Sequence, residues 1–120
     1  MANPVVHFEI IGKDQQKLLK FYRSAFEWQI DDPIPELGNY AMVHTQTEGG
    51  IAGGIGGGIE GYDGHVTFYV EVADVNAALA KIEGLGGKKM MGPDEVPNGP
   101  IIAQFTDPEG HVVGLVQQRS

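Results

Sequence analysis

Sliding the chain over itself by 60 residues pairs Val6 with Val66, Phe8 with Phe68, Asp14 with Asp74, Leu19 with Leu79, Pro33 with Pro93, Gly50 with Gly110 and Gly54 with Gly114. These matches fall on strand cores, helix starts, a hairpin turn and one strand glycine, the places a duplicated unit must keep. The repeat constrains the fold more than any other feature of the sequence. A unit of that length buries only roughly 60% of its chain surface, so two modules side by side make a more credible core than one.

Each half carries the same order of elements. VVHFEII is rich in β-branched and aromatic residues and predicts a strand ended by Gly12. Asp14 is placed to cap a helix, along which Leu18, Leu19, Tyr22, Ala25 and Phe26 form one apolar stripe. DDPIPELGN predicts an irregular connection, YAMVHTQ a strand, TEGG a turn and IAGGIGG another strand. In the second half HVTFYVEV is a strand and Asp74 a cap. Val75, Ala78, Leu79, Ile82 and Leu85 form a helical stripe that Gly86 and Gly87 stop. KKMMG opens the next strand, PDEVPNGP is a loop fit to serve as a flap, and IIAQFT turns through DPEG into HVVGLVQ. The expectation is a single domain over residues 1–120, α+β in class. It holds two tandem βαβββ modules, at about residues 1–60 and 61–120, that form an eight-stranded cupped mixed sheet with two outer helices.

Composition narrows the function classes. Sixteen acidic against eight basic residues give a formal charge of −8, a field that repels phosphate backbones and anionic lipid. Nucleic acid and membrane are therefore not expected partners. Cysteine is absent, so any metal must be held by His, Asp or Glu, and a cytoplasmic location is expected.

The whole chain resembles the vicinal oxygen chelate superfamily, which holds glyoxalase I, extradiol dioxygenases and bleomycin-resistance proteins. The carriers are the βαβββ duplication, VVHFEI followed by KLLKFYRSAFEW, GHVTFYVEV before a helix ending LGG, and the closing FTDPEGHVVGL. The resemblance implies a curved sheet in each module, a cavity for a metal or ligand, and homodimers among single-domain members. In metal-using relatives it implies four ligands, two histidines and two carboxylates, from the first and last strand of each module. His7 stands at the first of these positions, but Gly54 and Gly114 stand at the two carboxylate positions. At the fourth, Thr67 is the strict equivalent of His7, while His65 lies on the same strand face.

Two readings follow. In the first, the chain is a small-molecule-binding member of the bleomycin-resistance type, without a cofactor and without the full glyoxalase metal set. His7, Glu9, His65, Thr67, Tyr69, Met90 and Met91 then line the ligand pocket, and Gly54 and Gly114 leave it room. The net acidity favours cationic ligands. In the second, His7, Glu9 and His65 hold a divalent ion (Zn, Ni, Mn, Fe or Co) in a lyase, isomerase or dioxygenase. Glu9 is the candidate catalytic residue, as a general base tuned by burial and a neighbouring imidazole. His44 and His111 are assigned to structure.

Nine of the eighteen glycines lie in GGIAGGIGGGIEGYDG, and Gly56, Gly58 and Gly61 match the spacing of a dinucleotide-binding loop. A strand, not a helix, is expected next, so no phosphate-binding helix end is available. The stretch from Gly56 to Gly64 suits a flexible linker between modules.

Overall fold

The computed structural model describes residues 2–45 and 47–118. It contains eight strands and two helices, with the order βαβββ present twice. The chain divides into two compact units, residues 7–66 and residues 2–6 with 67–118.

In the first unit β1 (Val5–Gly12) leads into α1 (Gln15–Phe26), followed by β2 (Gln29–Ile30), a 3-10 turn at Pro35–Leu37, β3 (Ala41–His44) and β4 (Gly53–Gly57). The spatial order is β2-β3-β4-β1. β1 and β4 run parallel, pairing Phe8 with Gly53 and Glu9 with Gly54. The other neighbours are antiparallel. Helix α1 starts where its cap predicts, with the Asp14 carboxylate accepting from the Lys17 N–H at 3.1 Å. Its stripe buries Leu19 against Ile10, Ile30, Ala41, Val43 and Ile55, with Leu18, Tyr22 and Trp28 at the rim. Gln15 ties the first turn to the strands by donating to the carbonyls of Asn39 and Ile55.

The second unit repeats the plan with β5 (His65–Glu71), α2 (Val75–Gly84), β6 (Lys88–Glu95), β7 (Ile101–Thr106) and β8 (Val112–Gln117), in the order β5-β8-β7-β6. The first two residues of β5 belong to the first unit, and the first two of β1 to the second. Asp74 caps α2 through the Ala77 N–H, and the Gln117 side chain takes the Val75 N–H at 2.8 Å. Val75, Leu79, Ala103 and Leu115 form the core.

Three local expectations change. Leu85 lies beyond the end of α2 and is 71% exposed, because the carbonyl of Ile82 is already engaged by the N–H groups of Leu85 and Gly87 as the helix closes. β6 runs on through Asp94 and Glu95, so the loop expected over 93–100 contracts to the turn before β7. Register shifts between Lys89 and Met91, and between Met91 and Asp94, let this outermost strand of its set carry Pro93, which lacks an N–H to share. β3 stops at His44, two residues short of Gln46, which lies outside the described residues. Among the described residues no helix is long and apolar enough to cross a membrane.

Candidate functional site

β1 alternates faces, which places His7 and Glu9 on one side of the strand. Glu9 is only 6% exposed, and a carboxylate so buried must be given hydrogen-bond donors. Two arrive from distant parts of the same unit. The hydroxyl of Tyr40, the residue before β3, donates to Glu9 Oε1 at 3.0 Å, and His65 Nε2 lies 2.7 Å from Glu9 Oε2. The network continues outward on both sides, with His7 Nε2 2.9 Å from the Tyr40 hydroxyl and the Tyr62 hydroxyl on His65 Nδ1.

Donor counting orders the protons along the Tyr40 arm. A phenol has one hydrogen and Tyr40 gives it to Glu9, so the contact with His7 requires the proton on His7 Nε2. Against the Glu9 carboxylate His65 presents Nε2–H, and in that tautomer Nδ1 accepts from Tyr62. Both arms converge on Glu9. Burial holds the His7 imidazole below its ordinary value, against the opposing pull of the Glu9 charge. Burial and then the Glu9 charge hold the Tyr62 phenol above its ordinary value, so Tyr62 stays a donor.

The glycine-rich segment is what aims Tyr62. Ile59 to Tyr62 form a turn closed by a 3.1 Å bond from the Tyr62 N–H to the Ile59 carbonyl, with Gly61 at φ 76° in the position where such turns demand a left-handed residue. Gly64, at φ 118°, passes so close to β1 that a Cβ there would stand 2.0 Å from the Ile11 carbonyl oxygen. His65 follows directly. The segment expected as a linker is therefore an ordered turn in the first unit, followed by β5 as the false dinucleotide match anticipates.

The room expected at the strand glycines is taken. A Cβ on Gly54 would lie 1.9 Å from the Tyr40 ring, and one on Gly114 would lie 2.5 Å from the Tyr69 ring. The duplication explains how. Gly54 pairs across the ladder with Glu9, and Gly114 with Tyr69, the residue 60 positions after Glu9. In the second unit the partner opposite the glycine is itself the aromatic that covers it. In the first unit that partner is Glu9, so Tyr40 comes from elsewhere to cover Gly54. Correspondingly, the Tyr69 hydroxyl accepts from buried Gln104 at 2.9 Å, with no carboxylate in that bond.

The remaining candidates have local roles. The Thr67 hydroxyl donates to the Val112 carbonyl at 2.5 Å. Met90 is exposed and Met91 half-buried on β6. His44 bonds Asp31 and His111 bonds Asp107, each at 2.9 Å, as structural histidines do. The backbone N–H of His111 is foremost in holding the Asp107 carboxyl below its usual range.

The arrangement does not fit a divalent ion on His7, Glu9 and His65. A metal needs a nitrogen lone pair from each imidazole, but both nitrogens of His65 are engaged, Nε2 by Glu9 and Nδ1 by Tyr62. The Tyr40 hydroxyl stands between His7 and Glu9. Among the described residues no three His, Asp or Glu side chains are grouped to hold a metal ion. His7, Glu9 and His65 do belong to one network, joined by Tyr40 and Tyr62, which the sequence did not single out. The one signal for Tyr62 was its place three residues before His65, between two glycines.

The model of the Glyoxalase/Bleomycin resistance protein/Dioxygenase superfamily matches residues 5–115, and the chain belongs to that superfamily. Curated proteins of Mycobacterium bovis and Mycobacterium tuberculosis, both named "Putative glyoxylase CFP32", are 34% identical over 108 residues, 87% of this chain. The chain spans 41% of the length of those relatives. Methylmalonyl-CoA epimerase from Mycobacterium tuberculosis superposes with a TM-score of 0.68 at 13% identity, over 97% of this chain and 88% of that one. A methylmalonyl-CoA epimerase in complex with methylmalonyl-CoA and NH4+ gives 0.66 at 22% identity, over 100% and 97%. A hypothetical protein from Bacillus halodurans gives 0.67 at 14%, over 100% and 97%. At these identities the likeness is one of fold.

Proposed function

We propose that this chain is a small-molecule-binding member of its superfamily, of the bleomycin-resistance type, that works without a bound metal. His7, Glu9 and His65, with Tyr40 and Tyr62, are the residues that read the ligand. The observation that carries this reading is the buried Glu9 carboxylate holding a donor on each oxygen. Such a group is a fixed negative charge that draws a hydroxyl or ammonium group to the donors around it, and the net charge of −8 favours cations at long range. That a fold neighbour is described in complex with methylmalonyl-CoA supports a small organic ligand as the class.

A second reading has one observation in its favour. The 2.7 Å His65–Glu9 pair is an imidazole backed by a carboxylate, the arrangement of a general base, so proton transfer on a bound molecule is within its chemistry. A homodimer over the single domain of residues 1–120 belongs to both readings. The test is a thermal-shift screen of cationic and aromatic small molecules, run beside mass-spectrometric metal analysis after incubation with Zn, Ni, Mn, Fe or Co and desalting. Ligands that stabilise the protein in chelator, with no metal retained, are the expected result. Near-stoichiometric metal that disappears in His7→Ala overturns the reading.

A further inference from the structure

We propose that Tyr62 is the outer member of a proton relay, Tyr62–His65–Glu9, through which a protonated group on a bound molecule exchanges its proton with the buried carboxylate. The inference rests on the reading that Glu9 is the working group of the site, and adds a residue and a route to it.

Three observations carry it. The contacts are continuous, from the Tyr62 hydroxyl to His65 Nδ1 and from His65 Nε2 to Glu9 Oε2 at 2.7 Å. In the Nε2–H tautomer of His65 the donor directions agree at every step, since Tyr62 gives to His65 and His65 gives to Glu9. Burial rises inward, from the half-buried Tyr62 to side chains of His65 and Glu9 that are 10% and 7% exposed. Tyr62 is held at the outer end by its own turn, with Gly61 at φ 76°. A linker has no need to place a phenol there.

The transfer balances without a co-reactant. The ligand is a small molecule bearing an acidic O–H or N–H group that meets the Tyr62 oxygen. Its X–H bond breaks as an O–H bond forms on Tyr62. The original Tyr62 hydrogen passes to His65 Nδ1, and the His65 Nε2 hydrogen passes to Glu9 Oε2. The ligand has lost one proton, Glu9 has gained it, Tyr62 and His65 are again neutral, and His65 has exchanged one tautomer for the other. The reverse sequence returns the proton. Tyr40, on the opposite oxygen of Glu9, keeps the carboxylate aimed during the exchange.

The experiment is done on the ligand-free chain by imidazole proton–nitrogen correlation spectra of wild type and Tyr62→Phe. In wild type, His65 is expected as the Nε2–H tautomer with Nδ1 accepting. With solvent as the outer proton donor, the relay converts this tautomer into the Nδ1–H form and back, so it is read as tautomer exchange at both ring nitrogens. In Tyr62→Phe the Nδ1 resonance moves toward that of an unbonded nitrogen, and tautomer exchange slows by at least about tenfold, as the loss of a positioned proton-transfer group does. A merely structural tyrosine predicts the opposite, because its loss loosens the turn and speeds exchange. Unchanged or faster exchange in the variant, or an Nδ1–H tautomer in wild type, overturns the relay. Ligand binding is scored separately, by the screen above, so failure of the relay and failure of the binding reading are distinguishable.

Discussion

Glu9 and His65 stand 56 residues apart in sequence and meet through a 2.7 Å hydrogen bond between side chains that are almost fully buried. Each solves the other's problem, since a carboxylate that far from water needs donors and an imidazole beside it is held in one tautomer. Removing the imidazole while keeping its bulk, as in His65→Leu, leaves Glu9 with one oxygen undersupplied. The expected loss is about 1–3 kcal/mol in urea-induced unfolding. A double-mutant cycle with Glu9→Gln should show coupling between the two positions of at least about 0.5 kcal/mol. Strict additivity would mean that the contact contributes nothing.

The strand glycines give a sharper packing prediction. Gly54→Ala drives a methyl into the Tyr40 ring, and Gly114→Ala drives one into the Tyr69 ring. Each should destabilise by about 1–3 kcal/mol as overpacking does. Gly84, near the end of α2 with nothing within 4 Å of an added Cβ, is the control, and Gly84→Ala should be neutral or stabilising by roughly 0.5–1 kcal/mol. Thermal or urea denaturation separates the pair from the control. Gly114→Glu, which would restore a carboxylate at the family's metal-ligand position, should behave as a packing defect and gain no metal.

His7 supplies a pH dependence. Its imidazole is held below its ordinary value in the folded chain, chiefly by burial, so the unfolded chain binds a proton first on acidification. Its contribution to stability is therefore complete above the unfolded value near 6.5 and is lost as pH falls from there through the folded value. His7→Gln should flatten the decline of stability below neutrality, measured by urea midpoints across pH 5 to 8. A decline equally steep in the variant would assign the effect to other groups.

Much of the fold was legible because its signals are local. Asp14 and Asp74 cap their helices as read, Leu19 and Leu79 are buried in their stripes, and the repeat gives the βαβββ order twice. Leu85 misled because its spacing continues the stripe while the helix has already ended. The His7–Glu9 adjacency was legible from strand alternation, and His65 from its shared face with Thr67. Tyr40 was not, because nothing near it in sequence shows that its ring must fill the space over Gly54, fourteen positions on. Tyr62 sat in a glycine run whose composition suggests freedom. Only the left-handed turn at Gly61 and the close pass of Gly64 beside Ile11 show why those glycines are there.

The most direct test of the central claim is a calorimetric titration of the best ligand from the screen, in chelator, into wild type and into Glu9→Gln. The variant keeps the shape of the buried side chain and removes its charge. The account predicts binding to wild type without metal and at least about tenfold weaker binding to the variant, the scale of one hydrogen bond to a charged group. Binding that requires an added divalent ion, or equal affinity in the two proteins, would contradict it.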